Sequence, residues 1–164
     1  MAKPSVEDTV ENAARHFKER PSNFPTGRPY NCCESVLAAL SEYFPEMQSS
    51  LIPKIGTVIG AGLSLTGNQC GALNGAAICL GAMCGRNSPT ESPAKAWNLG
   101  QQLVQVFNEK FNVKQHPTCR ELTGLDMRKT EDQKRYFALV HDYACTDRVR
   151  FATRKAIEII EKNR

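Results

Sequence analysis

Aromatic residues are scarce in this chain, at 7% of 164 residues with a single tryptophan. A hydrophobic core must therefore be built from aliphatic, small and sulfur-containing side chains. No segment alternates apolar and polar residues over the length of a strand, which argues against a β-sheet. The hydrophobic share of 41% and the charged share of 23% are typical of a soluble globular domain.

Long runs of positive charge are also missing. The net charge is +4, and no basic run is interleaved with aromatic side chains, so we expect no nucleic-acid partner. Residues 55–85 contain no charged side chain at all. The Gly71-x-x-x-Gly75 spacing in this run occurs in membrane helices. Polar Asn68 and Asn74 and the few long aliphatic residues favour the buried centre of a bundle, so we expect no membrane span.

Several signatures of cofactor sites are absent. Gly60-Ala61-Gly62 is neither preceded by a strand nor followed by Gly-Lys-Ser/Thr, which excludes a phosphate-binding loop and a dinucleotide fingerprint. The chain has no Cys-x-x-Cys-His, so covalent haem attachment is not expected. It also has no Cys-x-x-Cys pair, the usual sign of a zinc or cluster site.

The N-terminus shows no secretory signal. Its first eight residues, Met-Ala-Lys-Pro-Ser-Val-Glu-Asp, contain no apolar segment, which predicts a cytoplasmic protein. In a reducing compartment, structural disulfides are rare, and cysteines more often serve metal binding or redox chemistry. The odd number of cysteines, seven, agrees with this interpretation.

Proline, glycine and apolar spacing predict an all-α, compact single-domain bundle of about six to seven helices. The domain spans residues 1–164, with a core at about 24–160, an N-terminal helix within 1–20 and a loop over 20–30. The predicted helices cover about residues 5–19, 31–44, 50–59, 69–83, 92–112, 130–143 and 146–163, with a short turn over 118–124. The helix that starts near Ser50 is expected to bury Leu51, Ile55 and Val58, and Trp97 is expected in the core.

Four of the cysteines lie where helices are predicted to begin: Cys32, Cys70, Cys119 and Cys145. The spacing of Asn31 with Glu34, and of Thr118 with Glu121, is typical of capping boxes. A helix N-terminus offers unpaired N–H groups and a partial positive charge, and both stabilise a thiolate. The thiolate is the form that binds metals and attacks disulfides.

The other three cysteines are expected to lie away from such a site. Cys70 and Cys84 lie on one helix face but are about 21 Å apart along the axis, and Cys79 points to the opposite face. Cys33 points away from its neighbour Cys32. The four cysteines at helix starts can converge at one pole of a bundle, where four thiolates would hold zinc or an iron–sulfur cluster.

Two histidines and two arginines lie near these cysteines in sequence. His116 and His141 are candidate ligands or proton carriers, but surface or capping roles are expected for both. Arg120 and Arg148 either balance charge at the site or belong to a solvated face.

Four segments carry a resemblance: Asn31-Cys32, Cys70-Gly71-Ala72-Leu73-Asn74-Gly75-Ala76, Cys119-Arg120-Glu121-Leu122-Thr123-Gly124 and Cys145. They resemble the C_GCAxxG_C_C family of redox-active proteins, named for four cysteines around a Cys-Gly-Ala-x-x-Gly motif. The resemblance covers about residues 24–160. Its four cysteine positions fall on the four helix starts. The chain departs from the family pattern at residues 63–66, Leu-Ser-Leu-Thr, where more glycine and arginine is expected.

The resemblance implies an iron–sulfur or thiol redox role, because a related region of split-Soret cytochromes is associated with an iron–sulfur centre. On this basis we expect a cluster of unspecified type bound by the four cysteines, and electron transfer with an unidentified donor or acceptor protein. Metal-free thiol–disulfide exchange and a structural zinc site in a binding module remain open. The sequence does not decide whether the protein is an enzyme. A glycine-rich face also suits self-association, so a homodimer is a further expectation.

Overall fold

The computed structural model describes residues 3–20 and 27–164, and within that part of the chain every regular element is helical. Its eight α-helices are α1 Val6–Lys18, α2 Cys32–Tyr43, α3 Gly60–Leu63, α4 Gly71–Cys84, α5 Ala94–Phe111, α6 Cys119–Thr123, α7 Thr130–Leu139 and α8 Thr146–Asn163. Two 3₁₀ segments lie at Pro45–Met47 and Lys54–Ile59, and a π-helical turn lies at His141–Cys145. The all-α prediction is confirmed. Residues 21–26 of the predicted loop lie outside the described residues.

Four helices, α1, α2, α4 and α8, enclose the hydrophobic core. Helix α1 contacts α2 and α8, α4 contacts the same two helices, and α5 covers α4 and α8. A Cβ on Gly75 of α4 would lie 3.0 Å from the carbonyl oxygen of Cys33 in α2. This glycine therefore lets the two helices approach closely, which offsets its helix-propensity cost of about 1 kcal/mol. The expectation that α4 forms the buried centre is confirmed.

The helices that carry Cys32 and Cys119 begin at side-chain caps. The Asn31 amide oxygen accepts from the N–H groups of Cys33 and Glu34, and the Glu34 carboxylate accepts from the Asn31 N–H at 2.8 Å. The first predicted capping box is therefore confirmed. At α6 the hydroxyl of Thr118 accepts from the Glu121 N–H at 3.1 Å, so the Thr118 half of the second box is present.

The prediction of a buried helix over residues 50–59 is wrong. The segment contains only the 3₁₀ turns of Lys54–Ile59, and Leu51 and Val58 are 57% and 59% exposed. Polar bonds to the start of α2 hold it in place, since the Asn31 amide donates to the carbonyl oxygens of Gly56 and Thr57. The expectation for Trp97 is also wrong, because this side chain is 67% exposed on α5.

Residues 61–65 form a left-handed turn between this segment and α4. All five have φ between 52° and 70°, and only Gly62 is glycine. Each of the other four residues costs roughly 1–2 kcal/mol in this conformation. Hydrogen bonds hold the turn, from the Asn68 N–H to the Gly62 carbonyl at 2.9 Å and from the Ser64 hydroxyl to the Val58 carbonyl at 3.0 Å.

Along residues 3–20 and 27–164, none of the helices combines the length and the apolar character that a membrane crossing needs.

Candidate functional site

The four cysteines predicted to act together line one cavity of about 400 Å³. They come from α2 (Cys32), the residue before α4 (Cys70), α6 (Cys119) and the residue before α8 (Cys145). All seven cysteines are free thiols. The structure thus brings together side chains that are up to 113 positions apart in the chain. Their role as ligands stays a prediction.

Cys32 lies against the first turn of α4, at a place that only glycine leaves open. A Cβ on Gly71 would lie 2.5 Å from the Cys32 sulfur, closer than real carbon atoms approach. The nearby N–H groups of Ala61 and Cys33 partly offset the rise in the pKa of the Cys32 thiol that burial causes. The glycine directly after Cys70 in the motif therefore makes room for a second cysteine of the set.

Backbone pairing brings Cys70 and Cys119 together. Gln69 and Thr118 form an isolated antiparallel bridge. The Cys70 N–H donates to the Pro117 carbonyl at 2.8 Å, and the Cys119 N–H donates to the Asn68 carbonyl at 2.6 Å. The loop before α4 and the start of α6 are therefore one structural unit, and each delivers a thiol to the cavity.

Cys145 does not lie at a free helix N-terminus, which corrects the prediction for this residue. Its N–H donates to the Val140 carbonyl at 3.1 Å, five residues back, in the π-helical turn that joins α7 to α8. The helical path is therefore nearly continuous and leaves no unpaired N–H group at Cys145. Single π-helical turns interrupt α-helices frequently at functional sites.

Burial, and not the helix N-termini, dominates the chemistry of these thiols. Desolvation raises the pKa of Cys32 and of Cys119 to about 12 and the pKa of Cys70 to about 11. These pKa values include a smaller rise from repulsion between the cysteine sulfurs, and for Cys70 a decrease caused by the N–H groups of Leu73 and Ala72. The expectation that helix starts give these three residues low-pKa thiols is wrong.

The thiols surround the cavity and do not meet at one point. Among residues 3–20 and 27–164, no three His, Cys, Asp or Glu side chains lie close enough together to hold a single metal ion. The pKa values of Cys32, Cys70 and Cys119 are each raised by other sulfurs of the set, so the thiols share one electrostatic environment.

Arg148 is a buried cation at the cavity. Its residue is 8% exposed, one guanidinium nitrogen lies 3.5 Å from the Cys145 sulfur, and the other donates to the Leu122 carbonyl at 2.8 Å. The Nε atom is buried and has no partner, and no carboxylate of the described residues forms an ion pair with Arg148. Arg120, by contrast, is half-exposed and pairs with Asp126 at 3.2 Å, so of the two flanking arginines only Arg148 belongs to the site.

Sequence reasoning missed the aromatic and histidine wall of the cavity. His141 was expected at the surface but is 8% exposed and lines the cavity with Phe17, Tyr136 and Phe137. Burial raises the pKa of Tyr136 well above its usual range, with a smaller contribution from the nearby Cys145 thiol. The sequence signal for this wall is the run of apolar residues at 136, 137 and 140. The same pattern is expected for residues in a hydrophobic core, so it does not identify a cavity wall. His116 is exposed, as expected.

The three remaining cysteines lie outside the cavity lining, as geometry predicted. Cys33 and Cys79 are fully buried in the core, and Cys84 is half-buried near the end of α4.

Comparison with known proteins gives one family. The chain matches the family described as "Putative redox-active protein (C_GCAxxG_C_C)" over residues 30–159, which includes all four cavity cysteines. No curated protein and no solved structure matches the chain. Since the family match covers most of the sequence, the chain belongs to the C_GCAxxG_C_C family of redox-active proteins.

Proposed function

We propose that Cys32, Cys70, Cys119 and Cys145 bind an iron–sulfur cluster and that the protein transfers electrons through it. The observation that carries this proposal is one cavity with four thiols on its wall and a buried arginine that has no acidic partner among the described residues. Iron–sulfur clusters are held by cysteine thiolates, most often four of them.

The donor set fits such a group in chemical type. Soft thiolate ligands select zinc, copper(I) and iron–sulfur clusters over hard cations. As they stand, no three His, Cys, Asp or Glu side chains of the described residues are placed to hold a single zinc ion. Zinc would require the cysteine side chains or their helices to move inward.

Arg148 fits an anionic occupant. Burying a guanidinium without a charged partner is costly, and here its described partners are a carbonyl oxygen, a thiol and the ring of Phe111. Thiolate ligands would supply the missing negative charge next to its Nη1 atom, and a charge-assisted hydrogen bond would form there. The unpartnered Nε atom supplies a further donor.

Metal-free thiol–disulfide exchange receives less support. An attacking thiol works best with a pKa near ambient pH. Burial instead keeps Cys32, Cys70 and Cys119 neutral near pH 7, with pKa values of about 12, 11 and 12. A bound metal removes that obstacle, because it deprotonates a coordinating thiol.

When bound, the cluster supplies one-electron redox chemistry. The chain's own residues set its environment: the N–H groups of Ala61, Ala72 and Leu73 lie near cysteine sulfurs, and Arg148 adds a positive charge. Such hydrogen bonds, charge and solvent exposure tune the reduction potential of a cluster. The proposed partner is an electron donor or acceptor protein in the cytoplasm.

A set of serine variants tests the proposal. Cys32→Ser, Cys70→Ser and Cys119→Ser should each lower bound iron and visible absorbance severalfold after anaerobic purification. Cys84→Ser is the matched control, because Cys84 is a half-buried thiol on α4 outside the cavity. Full iron retention in the Cys70→Ser variant, or equal loss in the control, would contradict the assignment.

A further inference from the structure

The cavity extends beyond the four thiols to a wall of aromatic rings. His141 stacks on Phe17 with ring centroids 4.2 Å apart and an interplanar angle of 24°, and Phe137 lies 5.3 Å from the His141 ring. Tyr30 and Phe137, which also line the cavity, are 42% and 57% exposed, so this wall reaches solvent. Such a combination of aromatic surface and few polar groups is typical of small-molecule sites, and flat rings pack well on it.

His141 places a polar group on this aromatic part of the cavity wall. The Nδ1 atom of His141 lies 2.6 Å from the Asp142 carboxylate, whose side chain is 61% exposed. Because a carboxylate only accepts, Nδ1 carries the proton. Nε2 makes no hydrogen bond within the described residues. It accepts a hydrogen bond in the neutral ring and donates one in the imidazolium form.

The positive charges that line the cavity favour the binding of a ligand with an electron-rich oxygen atom. Arg20, Arg28 and Arg148 line the cavity, and no Asp or Glu of the described residues does. Positive charge on the cavity lining stabilises negative charge that develops on a ligand during reduction.

We propose that this wall binds a planar, conjugated carbonyl compound of the quinone class, with one oxygen at His141 Nε2. The proposal names the substrate of the redox site and rests on the proposed function for its electrons. A quinone becomes a hydroquinone when it takes up two electrons and two protons. The donor protein supplies the electrons one at a time, the His141 imidazolium gives one proton to a quinone oxygen, and solvent at the mouth gives the other. The neutral His141 then accepts a hydrogen bond from the hydroquinone hydroxyl, and Asp142 holds Nδ1 throughout.

Anaerobic calorimetric titration with duroquinone tests the site. The four methyl groups of this quinone block addition of thiols to its ring, so only reversible binding is measured. His141→Phe keeps a stacked ring but removes the nitrogen, and should weaken binding about tenfold or more, since a hydrogen bond that involves charge is lost. Phe137→Ala should weaken binding about fivefold through loss of ring contact. His116→Phe, at an exposed histidine, is the control and should bind within about twofold of the parent protein.

Iron content is measured on the same samples, and it separates the two proposals. Iron-loaded protein that does not bind duroquinone overturns the quinone site and leaves the cluster proposal intact. Equal affinity in the parent protein and the His141→Phe variant also overturns it. Protein that binds duroquinone with the expected loss in His141→Phe, yet takes up no iron, supports the binding site and overturns the cluster proposal.

Discussion

Two glycines of α4, Gly71 and Gly81, lie in very different surroundings. Gly71 has no side chain, yet it determines where the sulfur of Cys32 can lie, because any Cβ at residue 71 would come within 2.5 Å of it. Gly81 lies ten residues further along the same helix and faces open space, with no neighbour within 4 Å of an added Cβ. Of these two glycines in α4, only Gly71 is required to be glycine by the space around it.

This difference predicts opposite effects of the same substitution. Gly81→Ala should raise the free energy of unfolding by about 0.5–1 kcal/mol, because alanine has the higher helix propensity. Gly71→Ala should lower the free energy of unfolding by more than about 1 kcal/mol and reduce bound iron, because Cys32 must move. Urea unfolding of both variants measures the two changes. A Gly71→Ala variant as stable and as iron-rich as Gly81→Ala would show that the close contact is not limiting.

The cavity residues also show which features can be predicted from the sequence and which depend on tertiary packing. The four cysteines were identified from helix starts and from the family resemblance, and they do line one cavity. The buried state of Arg148 and His141 was not predictable, because it depends on how α1, α7 and α8 meet. Helix-start reasoning also suggested acidic thiols, but it ignores desolvation, and desolvation is the larger effect on Cys32, Cys70 and Cys119.

At the scale of elements, local signals predicted most of the helices well. Helix α2 was expected over 31–44 and spans Cys32–Tyr43, and α8 was expected over 146–163 and spans Thr146–Asn163. Both have clear apolar periodicity or capping residues, which are local properties. The segment 50–65 was not predicted, since its hydrogen bonds run to α2 and its left-handed turn has no recognised sequence pattern. Long-range contacts and strained backbone conformations cannot be predicted from local sequence patterns.

The left-handed turn gives a prediction of its own. Ala61 has φ 53° and ψ 37°, so Ala61→Gly should raise the free energy of unfolding by about 1 kcal/mol, since glycine adopts this conformation without steric strain. Ala38→Gly, in the right-handed interior of α2, should lower it by about 1 kcal/mol. Thermal or urea unfolding of the pair measures both signs. If both variants were destabilised equally, the turn would not be strained at Ala61.

Across the whole molecule, ion pairs connect α1 to α8. Glu7 pairs with Arg154 and Glu11 with Arg150, four residues apart on each helix. Hydrogen bonds from these arginines hold the pKa values of both glutamates below their usual range. A group with a lowered pKa in the folded state contributes stability above its unfolded pKa and loses it as pH falls through the folded pKa.

We therefore expect the iron-free protein to lose stability as pH falls from about 5 to about 3. The double variant Glu7→Gln, Glu11→Gln should lose less over the same interval, because it has no carboxylates to protonate at these two sites. Urea midpoints at several pH values measure the difference. Parallel pH curves for the parent protein and the double variant would show that the two ion pairs do not contribute. Because both glutamates are largely exposed, added salt should also reduce the difference.

The proposed iron–sulfur cluster, held by four thiols from separate elements, depends on the assembled molecule. Its most direct test is the quantity of iron and acid-labile sulfide, with the visible spectrum, in protein purified or reconstituted without oxygen. We expect iron and sulfide in similar, near-stoichiometric amounts and a brown chromophore. Protein that stays free of iron after reconstitution, or that contains only zinc, would contradict it.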